Sequence, residues 1–159
     1  MKPFDEYIGQ WCCEREITYT RYCDDMVFSG DFDAKIVKNK VQNFLQTMGL
    51  NLNHAKTKRL RQHQQQTVTG IVVNDKTQTP SIYRKALRQE IYYIQKFGIA
   101  SHLKKIDDQI YLPLGQVGQE RYLSALLGKI NFILHANPND FFFQTAKLYI
   151  KQEQYKLKN

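Results

Sequence analysis

Residues 17–22 are rich in Thr, Tyr and Ile, and 26–28 are Met-Val-Phe, residue types that suit a pleated surface. Asp24-Asp25 lies between them at turn position, so this stretch predicts a β-hairpin. Elsewhere apolar residues recur mainly at helical spacing. Phe4, Tyr7, Ile8 and Trp11 predict a short helix leading into the hairpin. Val37, Val41, Phe44, Leu45 and Met48 form one stripe at i, i+4, i+7, i+8 and i+11, which predicts a helix over 32–48. Asp31 or Asp33 can cap its start, and Gly49 stands where the chain should leave it.

Beyond residue 50 the pattern breaks and then resumes. Residues 54–61 are densely basic, and 62–66 hold four glutamines, a loop with little packing value. Residues 67–73 predict a strand with Gly70 inside it, which suggests a bulge or a close backbone approach. Asn74-Asp75-Lys76 makes the next turn, and a short partner strand should run to Pro80. From Ser81 onward the character is helical, apart from a strand signal at 109–112. Leu87, Ile91 and Ile94 mark the buried face of a helix over 82–97 that ends at Gly98. Leu123, Leu126, Leu127, Ile130 and Leu134 mark another over 119–135. Asn137-Pro138 then opens a last helix over 139–155, from which Phe141, Phe142 and Phe143 would point in three directions. The sum is an α+β chain, a strand-bearing first half followed by a helical second half.

A length of 159 residues allows one domain with a real core but not two large ones. The net charge of +8 favours an anionic partner, and its distribution sharpens the point. Residues 1–30 carry three bases and six acids, while 31–159 carry the other 20 bases and nine acids. An acidic tip followed by a basic body fits metal chemistry beside a phosphate-backbone surface. Arg84, Lys85 and Arg88 cluster near a helix start, where the dipole disfavours cations, so they are candidates for holding a ligand or partner. The three cysteines have no zinc-site spacing and an odd count, which predicts a reduced, cytoplasmic setting. No apolar run approaches a membrane span, and the acidic turn after Met1-Lys2-Pro3-Phe4 does not read as a signal peptide. His54 and His63 read as surface residues.

Two adjacent carboxylates repel each other, and a divalent cation removes the repulsion. Hard oxygen ligands on a tight turn suit Mg²⁺, which keeps several waters and takes its remaining ligands from phosphates. An exposed polar turn also favours Asp, and the bare pair fits both readings.

The flanking residues narrow the choice. Tyr22-Cys23-Asp24-Asp25, within Tyr19-Thr20-Arg21-Tyr22-Cys23-Asp24-Asp25-Met26-Val27-Phe28-Ser29-Gly30, resembles the palm motif of retron-type and group II intron reverse transcriptases. Three further stretches resemble the family in its own order. Gly49-Leu50-Asn51-Leu52-Asn53-His54-Ala55-Lys56-Thr57 is similar to the motif after the catalytic hairpin. Val68-Thr69-Gly70-Ile71-Val72-Val73-Asn74 is similar to the primer-grip strand. Leu126-Leu127-Gly128-Lys129-Ile130-Asn131-Phe132 through Asn137-Pro138 is similar to the thumb helix. The resemblance spans about residues 17–140.

It implies a partial polymerase palm over 1–80 and a helical thumb over 81–159. It implies that Asp24 and Asp25 bind Mg²⁺ in a two-ion site, that Lys56 lies near the phosphates of an incoming deoxynucleotide and can protonate the leaving group, and that Tyr22, Thr69 and Gly70 contact nucleic acid. The partners implied are an RNA template and a DNA primer. One departure matters most. The family's other essential aspartate, on an earlier palm strand, has no counterpart in residues 1–16, and neither do the fingers. The expectation is therefore an incomplete metal site and no polymerase activity from this chain by itself. Cys23 stands where relatives often have alanine, a change that should be tolerated. A non-catalytic nucleic-acid-binding module, or a subunit completed by a separate fingers chain, is the rival expectation.

Overall fold

A computed structural model describes residues 1–158, and the chain forms two compact units, residues 1–64 and 65–159. The first is α1 (Lys2–Cys13), the hairpin β1 (Thr18–Tyr22) and β2 (Asp25–Ser29), and α2 (Ala34–Thr47). Pro3 sits in the first turn of α1, where its missing N–H has no helical acceptor to lose. Phe4, Ile8 and Cys12 form the buried stripe of α1, one residue per turn. Val37, Val41 and Leu45 do the same for α2. Asp33 rather than Asp31 caps α2, its carboxylate accepting from the Lys35 N–H at 2.8 Å. Together with Ile17 these residues make one core.

The hairpin pairs Tyr22 with Asp25, Arg21 with Met26, Thr20 with Val27, Tyr19 with Phe28 and Thr18 with Ser29. Residues directly opposite share a face, so Tyr19, Arg21, Met26 and Phe28 occupy one side of the ribbon and Tyr22, Asp25, Thr20 and Val27 the other. The first side is packed down. Tyr19, Met26 and Phe28 lie against the core, and the Tyr19 and Phe28 rings stack at 5.1 Å. Asp5 of α1 secures the same side. It accepts from the Tyr19 hydroxyl at 2.8 Å and from Arg21 at 2.7 and 2.6 Å. The Arg21 hydrogen bonds hold the Asp5 carboxyl well below its ordinary value, at about 2, against an opposing push from burial. Burial, then the bond to Asp5, pushes the Tyr19 hydroxyl up.

The second unit contains β3 (Thr67–Val68), β4 (Ile71–Val72), α3 (Ser81–Phe97), α4 (Ile99–Lys105), a short 3₁₀ turn (Leu112–Leu114), α5 (Gly115–Ala136) and α6 (Phe141–Lys158). The strand predicted over 67–73 is instead a miniature hairpin. Thr69 and Gly70 are its two turn residues, with φ of 46° and 84°. Positive φ at both positions is the turn that matches strand twist. A Cβ on Gly70 would meet nothing within 4 Å, so the glycine serves the turn and not a close approach. The expected partner strand is a single bridge between Val72 and Gln78. The strand signal at 109–112 also fails. Asp108 accepts from the N–H groups of Ile110 at 2.9 Å and Tyr111 at 2.6 Å, and this local turn outcompetes extension.

The helices share one core: Leu87, Ile91 and Ile94 from α3, Ile99 and Leu103 from α4, Tyr122, Leu123, Leu126, Ile130 and Ile133 from α5, and Phe143, Ala146 and Ile150 from α6. Helices α5 and α6 run antiparallel, linked by Gln154 to Ser124 at 2.9 Å and Gln116 to the Leu157 carbonyl at 2.5 Å. Helix α5 begins four residues before the expected start at 119. Gly118 permits this, because a Cβ there would lie 1.9 Å from the Tyr111 carbonyl oxygen. Asp140, not Asn137, precedes the first residue of α6, and its backbone carbonyl accepts from the Gln144 N–H at 3.0 Å. Phe143 is wholly buried while Phe141 is 79% exposed. All three cysteines are free thiols. Among the described residues no helix is long and apolar enough to cross a membrane.

Asp5 offers a pH test of the clamp on the hairpin. A depressed carboxyl pKa contributes stability that is full above the unfolded value of 3.8 and fades as pH falls toward 2. The Asp5→Asn variant should lose about 1 kcal/mol at neutral pH, a figure reduced for the partial exposure of the pair. Urea unfolding of both proteins should show that gap closing as pH drops through this window. A gap independent of pH would mean the ion pair contributes nothing.

Candidate functional site

The carboxylate pair stands at the free end of the β1–β2 hairpin, but not where the sequence placed it. The two-residue turn is Cys23-Asp24, with Cys23 at φ 52°, and Asp25 is the first residue of β2, paired with Tyr22. The correction is one residue. Its cause is the strand register, in which Tyr22 and Asp25 close the ladder, leaving a two-residue loop. Arg21 donates to the Cys23 carbonyl as well as to Asp5, so one guanidinium ties the turn backbone to α1.

Alternation along the strands decides the exposure of the site. With the Tyr19 and Arg21 side packed down, Tyr22 and Asp25 face away from the core. Tyr22 is 72% exposed, and Asp24 and Asp25 are both exposed. Neither carboxylate forms an ion pair among the described residues. Two open carboxylates fit a hard divalent cation that keeps its waters and gathers other ligands from a phosphate. They do not make a closed protein cage, since no group of three or more His, Cys, Asp or Glu side chains converges among the described residues.

Lys56 lies in the same compact unit, in a tight turn after α2. Asn53 organises that turn. Its carboxamide oxygen accepts from the Ala55 and Lys56 N–H groups at 3.0 and 3.3 Å, and its backbone carbonyl accepts from the Thr57 hydroxyl at 2.9 Å. The Lys56 side chain is exposed, and no hydrogen bond or ion pair joins it to Asp24 or Asp25.

Thr69 and Gly70 belong to the second unit and present an exposed turn. The three cations at the start of α3 divide by their partners. Arg84 donates to the Gln78 side chain at 2.6 Å. Lys85 is exposed, with no ion pair among the described residues. Arg88 lies 3.7 Å from Asp140, whose side chain is 8% exposed, and its guanidinium stacks over the Phe142 ring at 4.8 Å. Arg88 thus anchors the start of α6.

Sequence spacing missed two polar arrangements. Asp5 and Arg21 are 16 residues apart on different elements, so no local period connects them. In the second unit Glu90 accepts from the Tyr122 hydroxyl at 2.6 Å and pairs with Lys129 at 3.1 Å, while His102 meets the same hydroxyl at 2.9 Å. Glu90 and Lys129 do fall at interior-adjacent positions of their helices, the one weak signal available. Burial holds His102 below its usual pKa and pushes the Tyr122 hydroxyl up.

A stretch of 59 residues is 41% identical to a protein of Myxococcus xanthus described as a retron Mx65 reverse transcriptase, covering 36% of this chain and 14% of that relative. That stretch carries a reverse transcriptase relationship, over a small part of the relative's length. No protein-family model matches the chain, and no solved structure matches it.

The Arg88 geometry separates a structural cation from a ligand-binding one. Arg88→Ala should destabilise the protein by about 1–2 kcal/mol, because it leaves the nearly buried Asp140 carboxylate without its cation, held by the Phe143 N–H alone at 3.4 Å. Lys85→Ala should stay within about 0.5 kcal/mol. Thermal melts of the two variants check this.

Proposed function

We propose that this chain is the palm-and-thumb portion of an RNA-directed DNA polymerase, with palm elements over residues 1–80 and the thumb over 81–159. The observation that carries the reading is the Tyr-x-Asp-Asp sequence at the end of an antiparallel ribbon whose Asp25 face is uncovered. The identity to a retron reverse transcriptase supports it.

In this reading Asp24 and Asp25 hold Mg²⁺, which when bound makes a primer 3′ hydroxyl easier to deprotonate and offsets charge on the departing pyrophosphate. The residues of the chain do the positioning. Arg21 and Asp5 fix the hairpin against α1 so that the carboxylates keep one orientation. Tyr22 offers an exposed ring beside them for a primer-end nucleotide. Lys56 supplies an ammonium group for the phosphates of an incoming deoxynucleotide and a proton for the leaving group. Thr69 and Gly70 present backbone at the primer grip. Arg84 and Lys85 meet the phosphates of an RNA template and DNA primer duplex. A third carboxylate from an earlier palm strand completes the metal site in the whole enzyme.

A second reading has its own observation. Among the described residues no group of three or more His, Cys, Asp or Glu side chains converges, and a nucleic-acid-binding module needs none. Calorimetric titration with Mg²⁺ distinguishes the two. The polymerase reading expects weak binding that disappears in the Asp24→Asn/Asp25→Asn variant, and no primer extension by the 159-residue chain. Duplex binding with no detectable cation affinity in the unaltered chain would favour the module instead.

A further inference from the structure

The corner where α3 meets α4 holds a cavity of about 240 Å³ lined by Tyr93, Phe97, Ser101, His102 and Lys105. Its aromatic walls come from helical spacing. Tyr93 and Phe97 are one turn apart on α3, their rings 6.2 Å apart and tilted by 30°. Gly98, at φ 78°, ends α3 and starts α4, which brings the His102 ring to 6.3 Å from Tyr93 at an interplanar angle of 23°. Phe97 is 47% exposed and neighbouring Tyr92 is 52% exposed, so two adjoining rings at this helix end offer open faces.

Cations rim the same corner. The Lys96 ammonium lies 5.6 Å from the Tyr92 ring and 5.3 Å from the Phe97 ring, and that of Lys105 lies 5.3 Å from Tyr93 and 5.7 Å from Phe97. Neither lysine has an ion-pair partner among the described residues. The negative C-terminal ends of α3 and α4 account for lysines in their last turns. They do not account for exposed rings beneath those lysines.

His102 adds a polar group to the wall. The Tyr122 hydroxyl proton goes to Glu90 at 2.6 Å, so the contact at 2.9 Å needs the His102 Nε2 to carry the proton and donate it to Tyr122. Burial favours the neutral ring, so Nδ1 carries no proton; it makes no hydrogen bond among the described residues, and the ring, 5% exposed, lines the cavity.

Planar faces, unpaired ammonium groups and a lone acceptor together select a planar, anionic ligand that carries a donor. We propose that this corner binds an unpaired nucleotide of a single-stranded nucleic acid. The base stacks on Phe97 and Tyr93, and Lys96 and Lys105 swing from the rings to the flanking phosphates. Base pairs inside a duplex cannot use the site, because they are already stacked on both faces, and a blunt duplex offers only its two end faces. The inference rests on the polymerase reading only in taking nucleic acid as the partner. The site lies in the second compact unit and uses none of the hairpin residues.

Fluorescence anisotropy on the full chain tests it, with a labelled short single-stranded oligonucleotide and a blunt duplex of the same sequence as probes. Phe97→Ala should weaken single-strand binding about tenfold and leave duplex binding unchanged. Phe97→Trp should restore or tighten it. Equal losses on both probes, or no loss on the single strand, would overturn the site. Ultraviolet cross-linking of the unaltered chain guards against misfolding of the variant. Adducts within residues 92–105 support the site, and adducts confined elsewhere refute it. The Mg²⁺ titration at the hairpin uses no nucleic acid and this assay uses no added cation, so failure at the hairpin and failure at this corner are read separately.

Discussion

A two-stranded ribbon has two faces, and burying one commits the other. In the first unit that commitment is made by Asp5, which accepts three hydrogen bonds from Tyr19 and Arg21, both on the same side of β1. Because strand side chains alternate, fixing Tyr19 and Arg21 inward sends Tyr22 and Asp25 outward. A slip of one residue would exchange the two sets, exposing Phe28 and burying Asp25 with no partner. Desolvating an unpaired carboxylate costs several kcal/mol, so the register is strongly specified. The exposure of the candidate metal ligands therefore follows from a clamp on the opposite face.

Elements with a long apolar period were legible in the sequence, whereas details set by single backbone conformations were not. The stripe Val37–Val41–Leu45 announced α2, and Leu123–Leu126–Ile130 announced α5, because each repeats over several turns. Turn positions gave less. Cys23 and Thr69 both adopt positive φ, and neither residue type advertises that conformation. Hence Asp25 read as a turn residue when it is a strand residue, and Gly70 read as a strand residue when it is a turn residue. The candidate site was legible in kind, as two adjacent carboxylates on a hairpin. Its orientation was not, since that depends on Asp5, which no local spacing relates to Arg21.

The charge total of +8 is an equally coarse guide until partners are assigned. Arg21, Arg88 and Lys129 are answered by Asp5, Asp140 and Glu90, so these cations act inside the fold. Glu90 shows why the fold keeps such charges. It receives a buried tyrosine hydroxyl and a lysine at once, and the Tyr122 oxygen in turn accepts from His102 Nε2. Removing one member leaves buried groups unpaired, which makes the network a device for holding α3, α4 and α5 in one arrangement. The cations left over, Lys56, Lys85, Lys96 and Lys105 among them, are the ones free to meet phosphate.

Size gives the last constraint. The first unit holds a core of only seven buried residues, Phe4, Ile8, Cys12, Ile17, Val37, Val41 and Leu45, within 64 residues. A domain of that size buries a modest fraction of its surface and sits near the edge of stability. In the remaining stretch, 50–64, the basic residues Lys56, Lys58 and Arg59 are exposed, and Leu52 is the one side chain packed on that core. Such a unit gains a large relative increment from any ligand that binds only its folded form. A cation that bound Asp24 and Asp25 only in the folded hairpin would act in this way. Any such binding would be coupled to folding of the hairpin, whose outward face is exposed while its small core leaves the unit with stability to gain.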